Sequence, residues 1–474
     1  MAQIYQTKIK SRFLGSILTL TFLMSCSDLA GQDNWVSEMR KINGNISAPF
    51  ELNQAAIQAV GIRKITGRHL DLYTDVRKER VEELVEVFDQ SVDQLCRIFN
   101  IEPKKAKPWK LRAFLIADKN KTQPFKQIGA IPADLPKFLA GYQRGHNIWL
   151  YQQPGNYYTQ HLLLHEATHG FMKWFLDGHG APWYSEGVAE LVGVHRWKEG
   201  QLQLNYRLRE SSEADYWGRV KQIKEDWKTG NTMTLAEVMS IPPRAFLEVR
   251  YYAWSWAACD FLSHHAKTKA AFWEMKQLAM VNSNTFNTRF LDLIKKDWND
   301  LERDWQLYLA EAEYGYEIER GKLTQAQQVL GDDSSFLIDT QQSWQTTSIK
   351  VKQGDRLRIS GSGEFKVGET TNVKTNATGD SRTKSAIPWP CQSNGITIQY
   401  YRGQPLGMLQ AGVFCPTAGT PKEQIRGLLT PLSVGISAEI EFDNDGILCF
   451  RINESPAHLD NNQGALEVTV EKLE

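Results

Sequence analysis

The chain has 474 residues, 42% hydrophobic and 23% charged, which is enough for two folded domains of ordinary globular composition. Its 55 Lys and Arg residues balance its 55 Asp and Glu residues. This balance provides no long-range field for gathering nucleic acid, and no basic run exceeds a few residues, so no nucleic-acid partner is expected.

The first 25 residues have the pattern of an export signal. Basic residues within 8–12 precede an apolar run, residues 13–24, that is shorter than the ~20 residues of a membrane-spanning helix. The run ends in Leu-Met-Ser before Cys26, which resembles the lipobox of bacterial lipoproteins, where the cysteine is acylated. The alternative is cleavage near residues 29–32, which would give a soluble secreted protein. We therefore expect export, with membrane attachment only through a lipid on Cys26.

Strands and an amphipathic helix are predicted next. Residues 69–73 alternate as a strand does, and apolar residues recur every three or four positions over 81–99, which indicates a helix. Residues 111–116 form a compact apolar strand, and residues 140–151 predict a hairpin. Mostly helical patterns follow, to about residue 325.

The first of these later helices contains a His-Glu-x-x-His motif. Residues four apart lie on one helix face, so His165 and His169 could bind one ion, and Glu166 could reach a water in its open coordination position. The alternative is a buried helix whose histidines are satisfied by hydrogen bonds. With 10 His in the chain, the motif arises by chance in roughly one chain in a hundred, so a third ligand has to be identified.

The other nearby histidines are poor third ligands. His161 precedes His169 by eight residues, which at ~1.5 Å rise places them ~12 Å apart, too far for one ion. His179 lies ten residues after His169, in a Gly-containing stretch that predicts a turn. His195 is possible as a third ligand but comes late in the sequence.

Glu186 is the best candidate for the third ligand. A break at residues 178–182 lets the chain reverse into a second helix, on which Glu186 and Glu190 share a face. One carboxylate could bind the ion while the other orients a histidine ligand. The alternative is a solvated acidic face, but the neighbouring residues are small or apolar, which favours burial.

These motifs resemble those of the gluzincin peptidases, above all the peptidase-MA-like group of exported bacterial proteins and the aminopeptidase branch. The second motif is Trp-Tyr-Ser-Glu-Gly-Val-Ala at 183–189, and sixteen residues separate His169 from Glu186. The resemblance implies zinc held by His165, His169 and Glu186, with Glu166 as general base and Glu190 supporting a histidine. The Gly-x-Met-Glu-Asn segment of the aminopeptidase branch is missing, so an endopeptidase is expected.

A donor for the developing oxyanion is implied by the same resemblance. The segment at 250–256 opens a helix and is similar to the Tyr-x-x-Ser/Ala-Trp segment of peptidase-MA-like proteins. It implies Tyr252 as the donor, with Tyr251 as second choice. The alternative is that both rings only pack. The hairpin before the motif helix resembles the gluzincin edge strand, which would offer backbone groups to an extended substrate.

After about residue 331 short alternating runs separated by Gly, Asn and Asp turns predict a β-sandwich. A Gly-Asp-x-Leu strand start at 354–357 and an end loop at 453–464 resemble calcium-dependent galactophilic bacterial lectins. By that resemblance Asp460, Asn461 and Asn462 could coordinate Ca²⁺. The alternative, an ordinary tight turn, is favoured because these residues are common in turns.

Five cysteines remain if Cys26 is lipidated, so at least one thiol is free. Cys96 and Cys259 lie on apolar helical faces and should be buried. Cys391 and Cys415 could pair, since an exported protein can form disulfides.

The sequence thus predicts an α+β chain. The expected segments are a signal peptide at 1–25, a linker at 26–45, a zinc metallopeptidase domain at 46–327, a linker at 328–336 and a lectin-like sandwich at 337–474. The expected function is zinc-dependent hydrolysis of peptide or protein substrates. The alternative is a surface lipoprotein that binds glycans, or another cell-surface ligand, through the sandwich while the peptidase domain is inactive.

Overall fold

The computed structural model describes residues 36–77, 81–375 and 381–473. The expected signal peptide, the lipobox Cys26 and the alternative cleavage site lie outside these residues. Helices and several sheets are both abundant, so the α+β class is confirmed. None of the helices in the described part is long and apolar enough to cross a membrane.

The α-helices that have both ends within the described residues are numbered in chain order, short 3-10 turns are left unnumbered, and residues 36–42 are also helical. They are α1 (Gln54–Ala59), α2 (Glu83–Phe99), α3 (Pro103–Ala106), α4 (Gln123–Gln127), α5 (Asn156–Leu176), α6 (Pro182–Gly193), α7 (Arg219–Thr229), α8 (Leu235–Met239), α9 (Val249–His264), α10 (Lys269–Glu274), α11 (Ser283–Ile294), α12 (Trp298–Glu311), α13 (Ile318–Gly321) and α14 (Pro421–Gln424). The predicted helix over 81–99 corresponds to α2.

The strands are numbered in the same way. They are β1 (Arg63–Thr66), β2 (Leu70–Thr74), β3 (Leu111–Ile116), β4 (Gly141–Arg144), β5 (Asn147–Tyr151), β6 (His195–Lys198), β7 (Gln201–Leu204), β8 (Thr324–Gln325), β9 (Gln327–Gln328), β10 (Ser335–Asp339), β11 (Gln345–Val351), β12 (Arg356–Ser362), β13 (Phe365–Thr375), β14 (Ser381–Cys391), β15 (Ile396–Tyr401), β16 (Gln404–Leu406), β17 (Leu409–Phe414), β18 (Leu432–Ser433), β19 (Ser437–Glu441), β20 (Gly446–Ile452) and β21 (Ala465–Lys472).

The first compact unit contains the described residues up to His179 together with His195–Tyr206. Its sheet has the order β1-β2-β3-β5-β4, with β2, β3 and β5 parallel and an antiparallel strand at each edge. Helices α2 and α5 pack on the sheet, and a cluster that includes Phe114 and Trp149 packs against residues of α1 and α4. Because β3 is central, all six of its residues are buried, which explains its continuous apolar pattern.

The second compact unit contains Gly180–Val194 and the described residues from Arg207 onward. Helix α6 packs closely along α9. A Cβ atom at Gly187 would overlap the backbone oxygen of Ser255 and the sulfur of Cys259, so a glycine is required for this approach. The close contact fixes the α6 backbone that carries Glu186 and Glu190.

Two five-stranded sheets of the second unit share one hydrophobic core. Their orders are β19-β12-β21-β10-β9 and β18-β17-β20-β11-β8. Core residues come from both sheets, for example Ile359 and Val468 from one and Ala411 and Phe450 from the other. This arrangement is the predicted β-sandwich. Ile398 differs from the expected alternation, since it lies on the separate β15–β16 hairpin and is 70% exposed.

Buried charges connect the sandwich with helix α12 of the same unit. Glu311 and Arg451 form an ion pair of 2.6 Å, and each side chain is only 2% exposed. Arg402 also reaches Glu311, at 3.3 Å. Strand β8 belongs to one of the two sheets and β9 to the other, so the chain enters the sandwich around residue 324. The expected linker at 328–336 therefore overlaps β9 and β10.

The five described cysteines are free thiols. Cys391 and Cys415, whose pairing the sequence left open, are therefore not joined to each other. The Cys391 thiol is buried beside the backbone oxygen of Gln392, whereas Cys415 donates to the backbone oxygen of Asp445. Cys96 and Cys259 are buried as predicted, and burial raises the pKa of both thiols.

Candidate metal centre

Helix α5, which contains the His-Glu-x-x-His motif, is buried around most of its circumference. It is anchored at both ends. At the start, the Thr159 hydroxyl donates to the backbone oxygen of Gly155. At the end, Asp177 adopts a left-handed conformation, with φ of 58°, and its carboxylate pairs with Lys173 at 3.2 Å. A helix fixed in this way gives its side chains defined directions.

The two motif histidines point their distal nitrogens at each other. The Nε2 atoms of His165 and His169 are 3.1 Å apart, and the ring planes are nearly perpendicular, at 80°. Two imidazole nitrogens that bind one zinc ion tetrahedrally at ~2.0–2.1 Å are about 3.3 Å apart. A hydrogen bond between the rings would give a similar distance. The nature of the third group therefore decides between the two interpretations.

Two groups of side chains among the described residues could each hold a metal ion. One consists of His165, His169 and Glu186, and the other of His161, His165 and Glu190; within each group, one ligand atom per residue lies within 4.8 Å of the others. The first group is the set predicted from the sequence. The second was not predicted, because the distance that excludes His161 as a co-ligand of His169 does not apply to His165, which lies only four residues away.

Glu190 is engaged by an arginine that the sequence did not indicate. The Nε and Nη2 atoms of Arg219, the first residue of α7, each donate to one Glu190 oxygen at 2.9 Å. Both side chains are buried, at 5% and 1% exposure. A carboxylate with both oxygens bonded to a guanidinium is a weak cation ligand, because its charge is already neutralised. This favours the group that contains Glu186.

His179 and His195 have other roles in the described structure. His179 Nε2 lies 3.0 Å from the backbone oxygen of His169. His195 is fully buried, stacks in parallel on Tyr157 at 4.5 Å and bonds Gln160 at 3.1 Å. Neither belongs to the two candidate groups, in agreement with the sequence argument.

The remaining predicted site residues lie on two different elements. Glu166 is buried on α5, and its carboxylate lies against Gly141 of the edge strand β4. Tyr252 is half-buried near the start of α9. Its ring meets Phe246 edge-on at 5.2 Å, and the Arg219 guanidinium lies 5.9 Å from its centroid. Arg219 therefore links Glu190 to Tyr252 within the second unit.

The predicted calcium loop is more than an exposed turn. The Asn462 side chain is fully buried and donates to the backbone oxygen of Thr340 and to Glu454. Among the described residues, the side-chain oxygens of Asn461 and Asn462 are buried without a hydrogen-bond partner. Asp460 instead faces Arg209, at 3.5 Å.

Glu454 was missed by the sequence analysis. It is buried next to Asn462, and this burial raises the pKa of its carboxyl to about 7. Its position just after β20 carried no pattern that distinguishes it from other surface acids. The same holds for Arg219, whose partner Glu190 is distant in sequence.

No protein-family profile matches the chain, and no curated protein matches it. Among solved structures, the chain is similar to one described as "EclA N-terminal domain; PllA-like lectin". The identity is 17%, the match covers 29% of this chain and 95% of that chain, and the TM-score is 0.19.

We expect Arg219→Met to lower the free energy of unfolding by about 3–5 kcal/mol, because it removes the buried guanidinium that offsets the charge of the buried Glu190 carboxylate. Urea unfolding followed by circular dichroism measures the change. The control is Arg358→Met, which removes an arginine that is 44% exposed on the sandwich and pairs there with Glu439 and Glu471; because exposed ion pairs contribute little, stability should change by less than about 1 kcal/mol. Equal effects of the two substitutions would contradict a structural role for the Glu190–Arg219 pair.

Proposed function

We propose that the chain is an exported zinc-dependent metallopeptidase that hydrolyses peptide bonds and acts as an endopeptidase. Its metal ligands would be His165, His169 and Glu186, and Glu166 would be the general base. The observation that carries the proposal is the grouping of ligand atoms from those three side chains within 4.8 Å. The resemblance of both motifs to the gluzincins supports the assignment of this reaction.

The donor set suits a catalytic rather than a structural zinc site. Two imidazole nitrogens and one carboxylate oxygen are the three protein ligands of several zinc peptidases, and they leave one coordination position open. His165 is buried, whereas His169 and Glu186 are partly exposed. A group with this mixture of burial would hold an ion and still leave it open to substrate.

Zinc held by this group would polarise the peptide carbonyl and lower the pKa of water. Glu166 would take a proton from the attacking water and pass it to the leaving nitrogen. The water oxygen bonds to the carbonyl carbon, the C–N bond breaks, and a carboxylate and an amine are released. The Tyr252 hydroxyl would donate to the developing oxyanion.

The edge strand and the Glu190–Arg219 pair would complete the arrangement. Strand β4 ends the sheet order, and its residues are half-buried, so its backbone groups are accessible to an extended peptide. Glu190, which is paired with Arg219, would accept a hydrogen bond from a histidine ligand and fix its orientation. The alternative function, an inactive domain on a glycan-binding lipoprotein, is less favoured because His165, Glu166, His169 and Glu186 are all retained.

The first test separates chemistry from metal binding. Glu166→Gln keeps the size of the side chain but removes the base, so we expect hydrolysis of a mixed peptide library to fall by at least about 100-fold. Zinc content, measured by mass spectrometry of the purified protein, should stay the same. Glu86→Gln, an exposed site on α2, is the control. Retained turnover in Glu166→Gln would rule out this mechanism.

The second test addresses the ligand set. Glu186→Ala should weaken zinc binding by at least about 10-fold, because a ligand lost from a three-ligand site removes a direct bond. His179→Ala removes a neighbouring histidine that belongs to neither candidate group, so zinc affinity should change little. Competition with a coloured chelator gives both dissociation constants. Equal losses would show that Glu186 is not a ligand.

A second candidate function, calcium binding by the sandwich, is favoured by the buried oxygens of Asn461 and Asn462. Amide and carboxylate oxygens are typical calcium ligands, and Glu454 would supply negative charge beside them. Such a site could dock the protein on glycans or another cell-surface ligand. The buried pair of amides, rather than Asp460, would be its centre, because Asp460 faces Arg209.

We expect Ca²⁺ at a hundredfold excess over its dissociation constant to stabilise the full chain by about 2.7 kcal/mol. Thermal unfolding with Ca²⁺, Mg²⁺ or a chelator measures this, and a glycan array in the same buffers tests sugar binding. Asn461→Ala should abolish the calcium effect, whereas Asn444→Ala, in an exposed turn, should not. An unchanged unfolding temperature with Ca²⁺ would remove the candidate.

A further inference from the structure

The edge strand β4 runs along helix α5 in a matched register. A Cβ atom at Gly141 would lie 2.5 Å from Oε1 of Glu166, and a Cβ atom at Gly170 would lie 3.6 Å from Cγ of Gln143. Two residues of a strand span ~6.8 Å, and four residues of a helix span ~6.0 Å. The spacing of Gly141 and Gln143 along the strand is therefore nearly the same as the spacing of Glu166 and Gly170 along the helix, so the two contacts lie side by side.

The alternation of β4 assigns its residues to opposite faces of the sheet. Tyr142 points away from α5, where its ring stacks with Trp149 at 6.3 Å and Phe138 at 6.2 Å. Gly141 and Gln143 therefore face α5. Gly141 does not adopt a positive φ. A glycine is therefore needed here to leave room for a neighbouring side chain, and not to allow an unusual backbone conformation.

We propose that Gly141 is a positioning residue for Glu166. Because residue 141 has no side chain, the Glu166 carboxylate occupies the space at the rim of the sheet that a Cβ atom would fill. The position of β4 thereby determines where the carboxylate stands when it accepts a proton from water. This inference rests on the proposed function, in which Glu166 is the general base.

The conflict created by a side chain at residue 141 is local. The atoms in its way, Oε1, Cδ and Cγ of Glu166, belong to the outer part of a flexible side chain and not to the backbone. The carboxylate can rotate away without moving α5 or β4. A methyl group at residue 141 should therefore displace the base and leave the fold and the metal ligands in place. Displacement of a catalytic group by ~1 Å can lower the rate by ~100-fold.

The test is Gly141→Ala in the full chain, with a mixed peptide library and then one cleaved peptide as substrate. We expect kcat to fall by about 10- to 100-fold while KM changes by less than about twofold. Zinc content and unfolding temperature should match the wild type. Gly419→Ala is the matched control, because its Cβ would also approach a glutamate oxygen, Oε2 of Glu423, but at 3.3 Å and within the sandwich.

A double-substitution cycle distinguishes displacement of the base from general damage. Glu166→Asp shortens the side chain and withdraws the carboxylate from residue 141. We expect Gly141→Ala to reduce kcat much less in the Glu166→Asp background than in the wild type. The proposal would be overturned if the two substitutions lowered kcat additively, or if Gly141→Ala left kcat unchanged. It would also be overturned if Gly141→Ala raised only KM, because that would indicate impaired substrate binding along β4.

A crystal structure of Gly141→Ala provides a readout that does not depend on activity. The Glu166 carboxylate should move away from residue 141 while His165 and His169 keep their positions. An unmoved carboxylate would overturn the proposal. If the wild type hydrolyses no peptide, the proposed peptidase function fails, and this structure still decides whether Gly141 sets the place of the Glu166 side chain.

Discussion

The facing Nε2 atoms of His165 and His169 are the constraint on which the candidate site depends. Two imidazole lone pairs that point at each other repel, so a proton or a cation must lie between them. Helical geometry places the rings one turn apart, and the anchored ends of α5 keep them there. Under the proposed function, the Glu186 carboxylate would add the negative charge that favours a divalent cation at this place.

Arg219 gives different properties to two acids that are one helical turn apart. Glu190 has both oxygens bonded to the guanidinium and is buried, whereas Glu186 is partly exposed. The arginine stabilises a charge that would otherwise be costly in the interior. Under the proposed function, the arginine would leave Glu190 better suited to orienting a histidine than to binding an ion, and one sequence motif would provide two carboxylates with separate roles.

Within the second unit, the sandwich is joined to the helices by more than a connecting segment. The buried Glu311–Arg451 pair and the entry of β8 into a sheet make α12 and the sandwich parts of one packed body. Asn462 similarly joins the end loop to Thr340 and Glu454. A ligand of that loop would therefore act on a rigid region rather than on a mobile appendage.

The sequence alone determined the features that arise from local periodicity. Strand β3 has the predicted bounds, the hairpin of β4 and β5 lies within 140–151, and α5 and α6 contain the two motifs, because helical and strand repeats are readable over a few residues. Only the tertiary structure identified Arg219, Gly141 and Glu454, and only it excluded the Cys391–Cys415 pair. Each of these depends on a partner that is distant in the chain or follows no repeat, so the contact exists only after the elements have packed.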